Sequence, residues 1–413
     1  MPLVPKESCS DLLARTLVNC TTSVFTHCLV NPLTHMSTSS VLIYRDQLLP
    51  GSETFIPAQA EALPTYDAYY AGMKRVREGL DLPEDRVAVV NESANALGRL
   101  KEAAAQFLWF PRRYMEKIEA WNPSLIHAHF GPDALNALRL ADHLSIPLAV
   151  TYHGYDVTTH DVYARQSFYR HRVYLRNRER VKKEVDCFIA VSGFIRQELI
   201  DKGFPEDRIV QHYIGIDVDA FTADASVERE EVILFVGRLV EKKGGEYLIR
   251  AGARVQETHP AVKVVIVGDG PLREELELLA NDVGCNARFL GHQPPHVVRH
   301  WLNRARVFCV PSLVAESGDA EAFGMVFAEA QAMGVPVASF ESGGIPEVVK
   351  HDETGLLAPE HDWMQLADNI GRLLQDLGEW QRFSEAGITH VRSNFDVAEQ
   401  SSRLESIYEK IKA

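Results

Sequence analysis

The chain has 413 residues, enough for two domains of ordinary size. Its 46% apolar and 24% charged content fit a soluble globular protein, and a formal net charge of −14 excludes nucleic acid as the bulk partner, because phosphate backbones need a basic surface. No apolar run reaches the roughly 18 residues that a membrane-spanning helix requires, and the six cysteines show neither a CxxC pair nor zinc-type spacing.

Residues 1–39 hold three of the six cysteines (Cys9, Cys20, Cys28), many Ser and Thr, and no sustained period. Lys6 is opposed by Glu7 ahead of the apolar DLLARTLV run, which makes a poor signal peptide. The expectation is a disordered leader, or a start placed too early with Met36 as the first residue. From there apolar runs alternate with helical stretches: VLIYR (41–45), DRVAVV (85–90), SLIHAHF (124–130), IPLAVTYHG (146–154), CFIAVS (187–192) and RIVQHY (208–213), with amphipathic segments at 97–120 and 133–144 among them. That alternation predicts a parallel sheet covered on both faces.

The polar, acidic stretch 222–230 is a boundary. A second alternation follows: VILFVG (232–237), VKVVIVG (262–268), ARFLG (287–291), RVFCVP (306–311) and VPVASF (335–340), with a last helix at 396–411. The fold class is therefore α/β, with two Rossmann-like domains facing across a cleft, over 40–222 and 231–395, followed by a terminal helix over 396–413. Ligands of such sheets bind beyond the carboxyl ends of the strands. Cys187, Cys285 and Cys309 lie in or beside strand-like runs and read as buried free thiols of a reducing compartment.

The most informative stretch is 311–347, PSLVAESGDAEAFGMVFAEAQAMGVPVASFESGGIPE. It predicts a strand end, an acidic loop, a helix from about Ala322, a strand and a second glycine turn. Gly324 falls in the first helical turn, where the absent Cβ leaves the backbone open and the amides carry the positive end of the dipole. Glu321 at the helix mouth either matches that dipole or meets a ligand there. Glu329, in an apolar run, either faces water or is a buried carboxylate needing donors such as a ribose diol. GGIPE (343–347) is another turn that lets amides approach an anion or sugar, and Glu347 reads as no more than a helix cap. In VGRLVEKKGG, Arg238 follows Gly237 at a strand end and Lys243 precedes a glycine pair that starts a helix, a cationic place for a diphosphate or a common helix start. VGDGP (267–271) and FLGH (289–292) are strand-end turns. No DxD carboxylate pair stands in a loop where a metal would be expected, since GDG (268–270) is a glycine turn with one Asp, and no metal or cofactor is expected.

In the first half, PGSETF (50–55) places Gly51, Ser52 and Glu53 in a loop directly after the first strand, with Glu53 opening a helix. HAHFGPD (127–133) and YHGYD (152–156) end strands and point His129, His153 and Asp156 towards the cleft, or else carry structural histidines. RQSFYRHRVYLRNRERVKK (165–183) is densely basic and, with WFPRRY (109–114), is either a solvated helix face or a landing surface for an anionic acceptor or lipid headgroups.

The spacing E-A-F-G-M-V-F-A-E, then A-M-G-V-P-V and G-G-I-P-E-V, resembles the donor signature of retaining GT-B glycosyltransferases of family 4. The likeness runs from about Ser40 to the end and is strongest after Val232. It implies an N-terminal acceptor-binding half, a C-terminal nucleotide-sugar half and a last helix crossing back. G-R-L-x-x-x-K-G, H-G-x-D (His153, Gly154, Asp156) and the S-E-T-F-I segment of bacterial exopolysaccharide enzymes fit the same family.

By this resemblance Arg238 and Lys243 take the leaving diphosphate, Glu321 and the amides of Phe323 and Gly324 hold sugar hydroxyls, Glu329 binds the ribose, and His153 faces the sugar from the other domain. Asp156 helps to hold the acceptor or its loop. Gly51, Gly237, Gly268, Gly270, Leu290 and Met325 would line the donor. Ile214-Gly215-Ile216-Asp217 lacks the Asn that the family often has, leaving that turn less well specified. The implied activity is metal-independent, retaining transfer of a hexose from a UDP- or GDP-sugar to a saccharide or lipid-linked acceptor, in exopolysaccharide or other cell-surface glycan synthesis. The protein would be cytoplasmic, with peripheral contact on the inner face of the plasma membrane. The alternatives are a nucleotide-sugar epimerase of the same fold and a non-catalytic polysaccharide-assembly subunit.

Overall fold

The computed structural model describes residues 39–76, 79–92 and 96–413. The expectations for residues 1–38, with Cys9, Cys20 and Cys28, lie outside them. Two parallel sheets are built in succession. The first contains β1 (Ser39–Tyr44), β2 (Gln47–Leu48), β3 (Tyr66–Arg75), β4 (Val87–Asn91), β5 (Leu125–His129), β6 (Leu148–Tyr152), β7 (Cys187–Ala190) and β8 (Ile209–Gln211), in the order β2-β3-β1-β5-β6-β7-β8 with β4 also paired to β3. The second contains β9 (Val232–Val236), β10 (Lys263–Val267), β11 (Ala287–Gly291), β12 (Val307–Cys309), β13 (Val337–Phe340) and β14 (Gly355–Ala358), in the order β11-β10-β9-β12-β13-β14.

The apolar runs became strands because both faces are covered. β5 and β6 are buried at every residue, as are β12, β13 and β14. The long strand β3 was not visible as an apolar run. Its sequence YDAYYAGMKR mixes polar and small residues, and only pairing with β1 on one side and with β4 and β2 farther along buries it. The amphipathic segment 97–120 is two helices, Ala96–Phe107 and Arg112–Trp121, broken at Pro111, whose ring fixes φ and removes a donor. Cys187, Cys285 and Cys309 are buried free thiols.

Both sheets reverse their winding next to their first strand, between β1 and β5 and between β9 and β12. Those are the switch points at which open α/β sheets hold ligands. The terminal helix Val397–Lys412 packs on the first half. Tyr408 bonds His127 at 2.6 Å, Ser401 donates to the Gln59 carbonyl at 2.9 Å, and Glu405 accepts from the Thr65 and Tyr66 amides. The 214–217 turn is better held than its missing Asn implied. Asp217 accepts from the Asp219 and Ala220 amides, and Ile216 exchanges backbone bonds with Phe395 and Val397.

Candidate functional site

At the second switch point, three loops leave the carboxyl ends of β9, β10 and β11 and bond one another. Gly237 donates to Val267, Leu239 to the Asp269 carbonyl and Gly268 to the Gly291 carbonyl, all within 3.0 Å. Gly268 has φ 140°, and a Cβ there would overlap the Gly237 carbonyl, so close packing of the two loops itself demands glycine. Gly270 is likewise closed against the Leu239 backbone, while Leu290 is half-buried beside them. Arg238 projects from this rim, exposed and with no ion pair to any described residue.

Lys243 ends the short turn Glu241–Lys243 ahead of the helix Gly245–Thr258, as its spacing predicted. It does not stand free, however. Its ammonium is in a short ion pair with Glu321 Oε2, and both side chains are largely enclosed. Burial pushes the Glu321 carboxyl up, but Lys243 and Lys242 more than offset this and hold it below the usual carboxylate range. The two residues read as contacts of different parts of a donor are thus partners of one another.

The helix begins at Met325, three residues later than expected. Gly344 donates to the Glu321 carbonyl at 2.8 Å and Gly343–Gly344 lie flush against Glu321 and Ala322, which holds 321–323 out of helical geometry. Gly324 then caps at φ 81°, in the left-handed region, rather than lying in the first turn. The Phe323 side chain points away from the groove, with ring centroids 5.8 Å from Tyr213 and 5.1 Å from Phe395, so only its backbone can face a ligand. Glu329 lies one turn into the helix and is half-buried. Its carboxyl makes no hydrogen bond or ion pair with any described residue, and burial pushes it up to about 7.

The first half meets this groove through His153. The His153–Gly154 turn abuts Ala320–Ala322, and a Cβ on Gly154 would press on the Ala322 methyl. Asp156 does not aim at the cleft. Its carboxylate accepts from the amides of Gly131, His153 and Gly154 at 2.9–3.1 Å and so shapes the loop that carries His153. His153 Nε2 is 3.0 Å from His129 Nδ1, and its ring lies among Phe55 and Phe130. His153 Nδ1 is buried without a partner. Burial, reinforced by His127 and Arg45, holds His153 well below the ordinary histidine range, so it is a neutral hydrogen-bonding group at pH 7. Phe130 beside it sits at φ 69°, a strained value for an aromatic residue.

The 50–55 loop does not follow the first strand directly, because β2 intervenes, and Glu53 precedes rather than opens the helix Phe55–Glu61. Glu53 is clamped by Arg45, which donates from Nε at 2.9 Å and Nη2 at 2.8 Å and also pairs with Asp133. Gly51 is exposed in this loop. The basic run forms the helix Tyr169–Glu184, and several of its charges are already paired: Arg170 with Asp46, Arg178 with Asp161, Arg180 with Glu184 and Lys182 with Glu179. Arg165, Arg172, Arg176 and Lys183 remain exposed.

Glu347, read as a cap, bridges the two halves. It accepts from the Gly193 and Phe194 amides at 2.8 and 2.9 Å, at the N-terminus of the helix Gly193–Asp201, from Tyr213 Oη at 2.9 Å and from Gln211 Nε2 at 3.3 Å. Its distance of more than 130 residues from all four donors hid this in the sequence. Among the described residues no group of three or more His, Cys, Asp and Glu side chains is placed to hold a metal ion.

Two Rossmann-like sheets, facing loops at both switch points and a terminal helix returning to the first half define a GT-B fold. Solved structures share it: Anabaena HepE in complex with UDP and glucose matches with TM-score 0.69 at 19% identity over 90% of this chain and 100% of that one. Sucrose-phosphate synthase from Thermosynechococcus elongatus matches with TM-score 0.70 at 20% identity, over 90% and 99%. The model for Glycosyltransferase Family 4 matches residues 75–220, and that for Glycosyl transferases group 1 matches residues 219–390. The chain belongs to glycosyltransferase family 4.

Among curated relatives, the amylovoran biosynthesis glycosyltransferase AmsK of Erwinia amylovora is 29% identical over 61% of each chain. WcaL of Escherichia coli, named for colanic acid biosynthesis, is 30% identical over 60% of this chain and 61% of its own. A GDP-mannose-dependent mannosyltransferase of Corynebacterium glutamicum is 34% identical over 55% and 63%. The chain spans about three fifths of the length of the first of these relatives.

Proposed function

We propose that this protein is a retaining glycosyltransferase that moves a hexose from a UDP- or GDP-sugar to a hydroxyl of a saccharide or lipid-linked acceptor, in exopolysaccharide or related surface-glycan synthesis. The observation that carries this reading is the set of unmatched groups along one groove. Arg238 is a cation without a counter-ion and Glu329 a half-buried carboxylate without a donor, with the Lys243–Glu321 pair in the same groove and the neutral His153 on its far wall. A sugar nucleotide supplies the complement of each: a diphosphate for the cations, a ribose diol for Glu329, and sugar hydroxyls for Glu321, His153 and the Phe323 and Gly324 backbone.

The chemistry follows from placement. The bond from the anomeric carbon to the diphosphate breaks as the acceptor oxygen bonds to that carbon on the same face, and the acceptor proton passes to the departing phosphate oxygen. Arg238 and Lys243 neutralise the charge that grows on the leaving group, without a bound metal. Lys243 then shares its charge between Glu321 and the phosphate. Glu321, His153 and the loop set by Asp156 fix the sugar against the acceptor. Buried free thiols fit a reducing cytoplasm, and the exposed Arg172 and Arg176 with Phe168 and Tyr169 fit peripheral contact with an anionic bilayer.

A thermal-shift screen of UDP-, GDP- and ADP-sugars tests the donor site, since a ligand of the folded state raises the melting point. Transfer from the stabilising donor to an acceptor panel, with the product linkage read by NMR, tests the reaction. No stabilisation by any sugar nucleotide would overturn the reading.

A further inference from the structure

A second concave site lies at the switch point of the first sheet. It encloses about 290 Å³ between the helices Ala134–Leu144 and Tyr169–Glu184, walled by Asp46, Asn136, Arg139, Arg170, Asn177 and Arg180. Its three arginines are not equally served by carboxylates. Arg170 is neutralised by Asp46, 2.9 Å away, with Glu102 at 3.8 Å. Arg180 reaches only the rim carboxylates Glu184 and Asp142, at 2.7 and 3.5 Å, both open to solvent. Arg139 has no carboxylate partner among the described residues. Its guanidinium bonds the Ala105 carbonyl and lies 4.9 Å over the Phe110 ring. Burial and the nearby Arg180 depress its pKa.

The place is as telling as the charge. Asp46 and Asn136 bond each other at 3.0 Å, and Asp46 N bonds Asp133, which pairs with Arg45; Arg45 lies 4.3 Å over Phe130, the neighbour of His153. The pocket is thus joined to the His153 wall of the groove by one continuous buried network. Next to its lining residues in sequence, Leu108 and Trp109 on one side and Phe168 and Tyr169 on the other are exposed apolar side chains.

We propose that this pocket binds the phosphate or diphosphate group of the acceptor, with Arg139 and Arg180 as its cationic fork and the exposed aromatic rim accommodating whatever the phosphate is attached to. Arginine suits this use because its planar donors match phosphate oxygens in pairs. That the ligand is the acceptor rests on the transferase reading; that the pocket takes a phosphate does not.

The test is calorimetric titration of the full chain with inorganic pyrophosphate. Two sites are expected, one at Arg238 and Lys243 and one here. The double variant Arg238→Ala/Lys243→Ala should keep only the second. Adding Arg139→Gln and Arg180→Gln should then weaken it at least about tenfold, a change that costs one strong charge-assisted contact at ~1.4 kcal/mol per decade. Arg180→Gln alone, on an exposed side chain, should lower affinity several-fold without loss of melting temperature, which keeps the test decisive if the half-buried Arg139 variant folds poorly. Farnesyl monophosphate and glycerol 3-phosphate should each displace pyrophosphate, the tighter of the two telling a lipid-linked from a water-soluble source. Unchanged pyrophosphate affinity in the folded arginine variants overturns the proposal, and does so equally if their sedimentation with phosphatidylglycerol vesicles falls. Loss of the first site in the Arg238→Ala/Lys243→Ala protein reports on the donor groove by itself, so the two readings fail separately.

Discussion

Replacing Glu329 by Gln should stabilise the protein at alkaline pH and weaken donor binding at the same time. Burial raises this carboxyl from 4.5 to about 7. Between those values the unfolded chain has released the proton while the folded chain keeps it, so stability contributed by this group falls as pH rises, and the loss is complete above about pH 7. At 1.36 kcal/mol per pH unit the full loss exceeds ~3 kcal/mol; the side chain is half-buried rather than enclosed, so about 1–2 kcal/mol is expected after screening. Gln does not titrate.

The difference in melting temperature between Glu329→Gln and the parent should therefore grow from pH 5 to pH 8 by about 1–4 °C, read by scanning fluorimetry. Asp46 and Asp156 are also raised, to about 7 and about 6, but they titrate in both proteins and cancel in the difference. The same variant should bind a sugar nucleotide at least about tenfold more weakly at pH 8, because one charge-assisted contact to a diol is lost. A melting difference that does not change with pH, or full donor affinity in the variant, would refute the reasoning.

Arg238 and Lys243 should separate on stability while agreeing on activity. Arg238→Ala removes an exposed, unpaired cation and should leave the melting temperature within about 1 °C, whereas Lys243→Ala strands Glu321 and should cost about 2–3 kcal/mol in denaturant titration; the double variant should lose turnover. Glu347→Ala removes four hydrogen bonds between the halves and should lower stability by about 1–3 kcal/mol and increase the radius of gyration in solution scattering; unchanged scattering would show that Glu347 does not hold the halves together. Asp156→Asn turns one acceptor oxygen into a donor facing a backbone N–H, so it should cost about 2 kcal/mol and lower kcat without greatly altering donor KM, since the loop that sets His153 is disturbed while Arg238, Lys243 and Glu329 are not.

The amino-acid sequence by itself determined the class of fold and most of the second half. Continuous apolar strands can only be buried on two faces, and glycine at strand ends marks where loops pack closely, so β9 to β13 and the turns at Gly237 and Gly268 were legible from local pattern. The spacing of Glu321 and Glu329 was legible too, as was His153 at a strand end. What the tertiary structure alone decided is who partners whom. Lys243 and Glu321 neutralise each other across 78 residues, Asp156 serves the loop rather than the cleft, Glu347 ties the halves together, and the basic helix spends its charges on Asp46, Asp161 and Glu184. Strand β3 was hidden for the same reason, since its burial comes from neighbours and not from its own residues. Periodicity reports one segment against its own surroundings, whereas the pairing of charges depends on which distant segments the sheet order brings together.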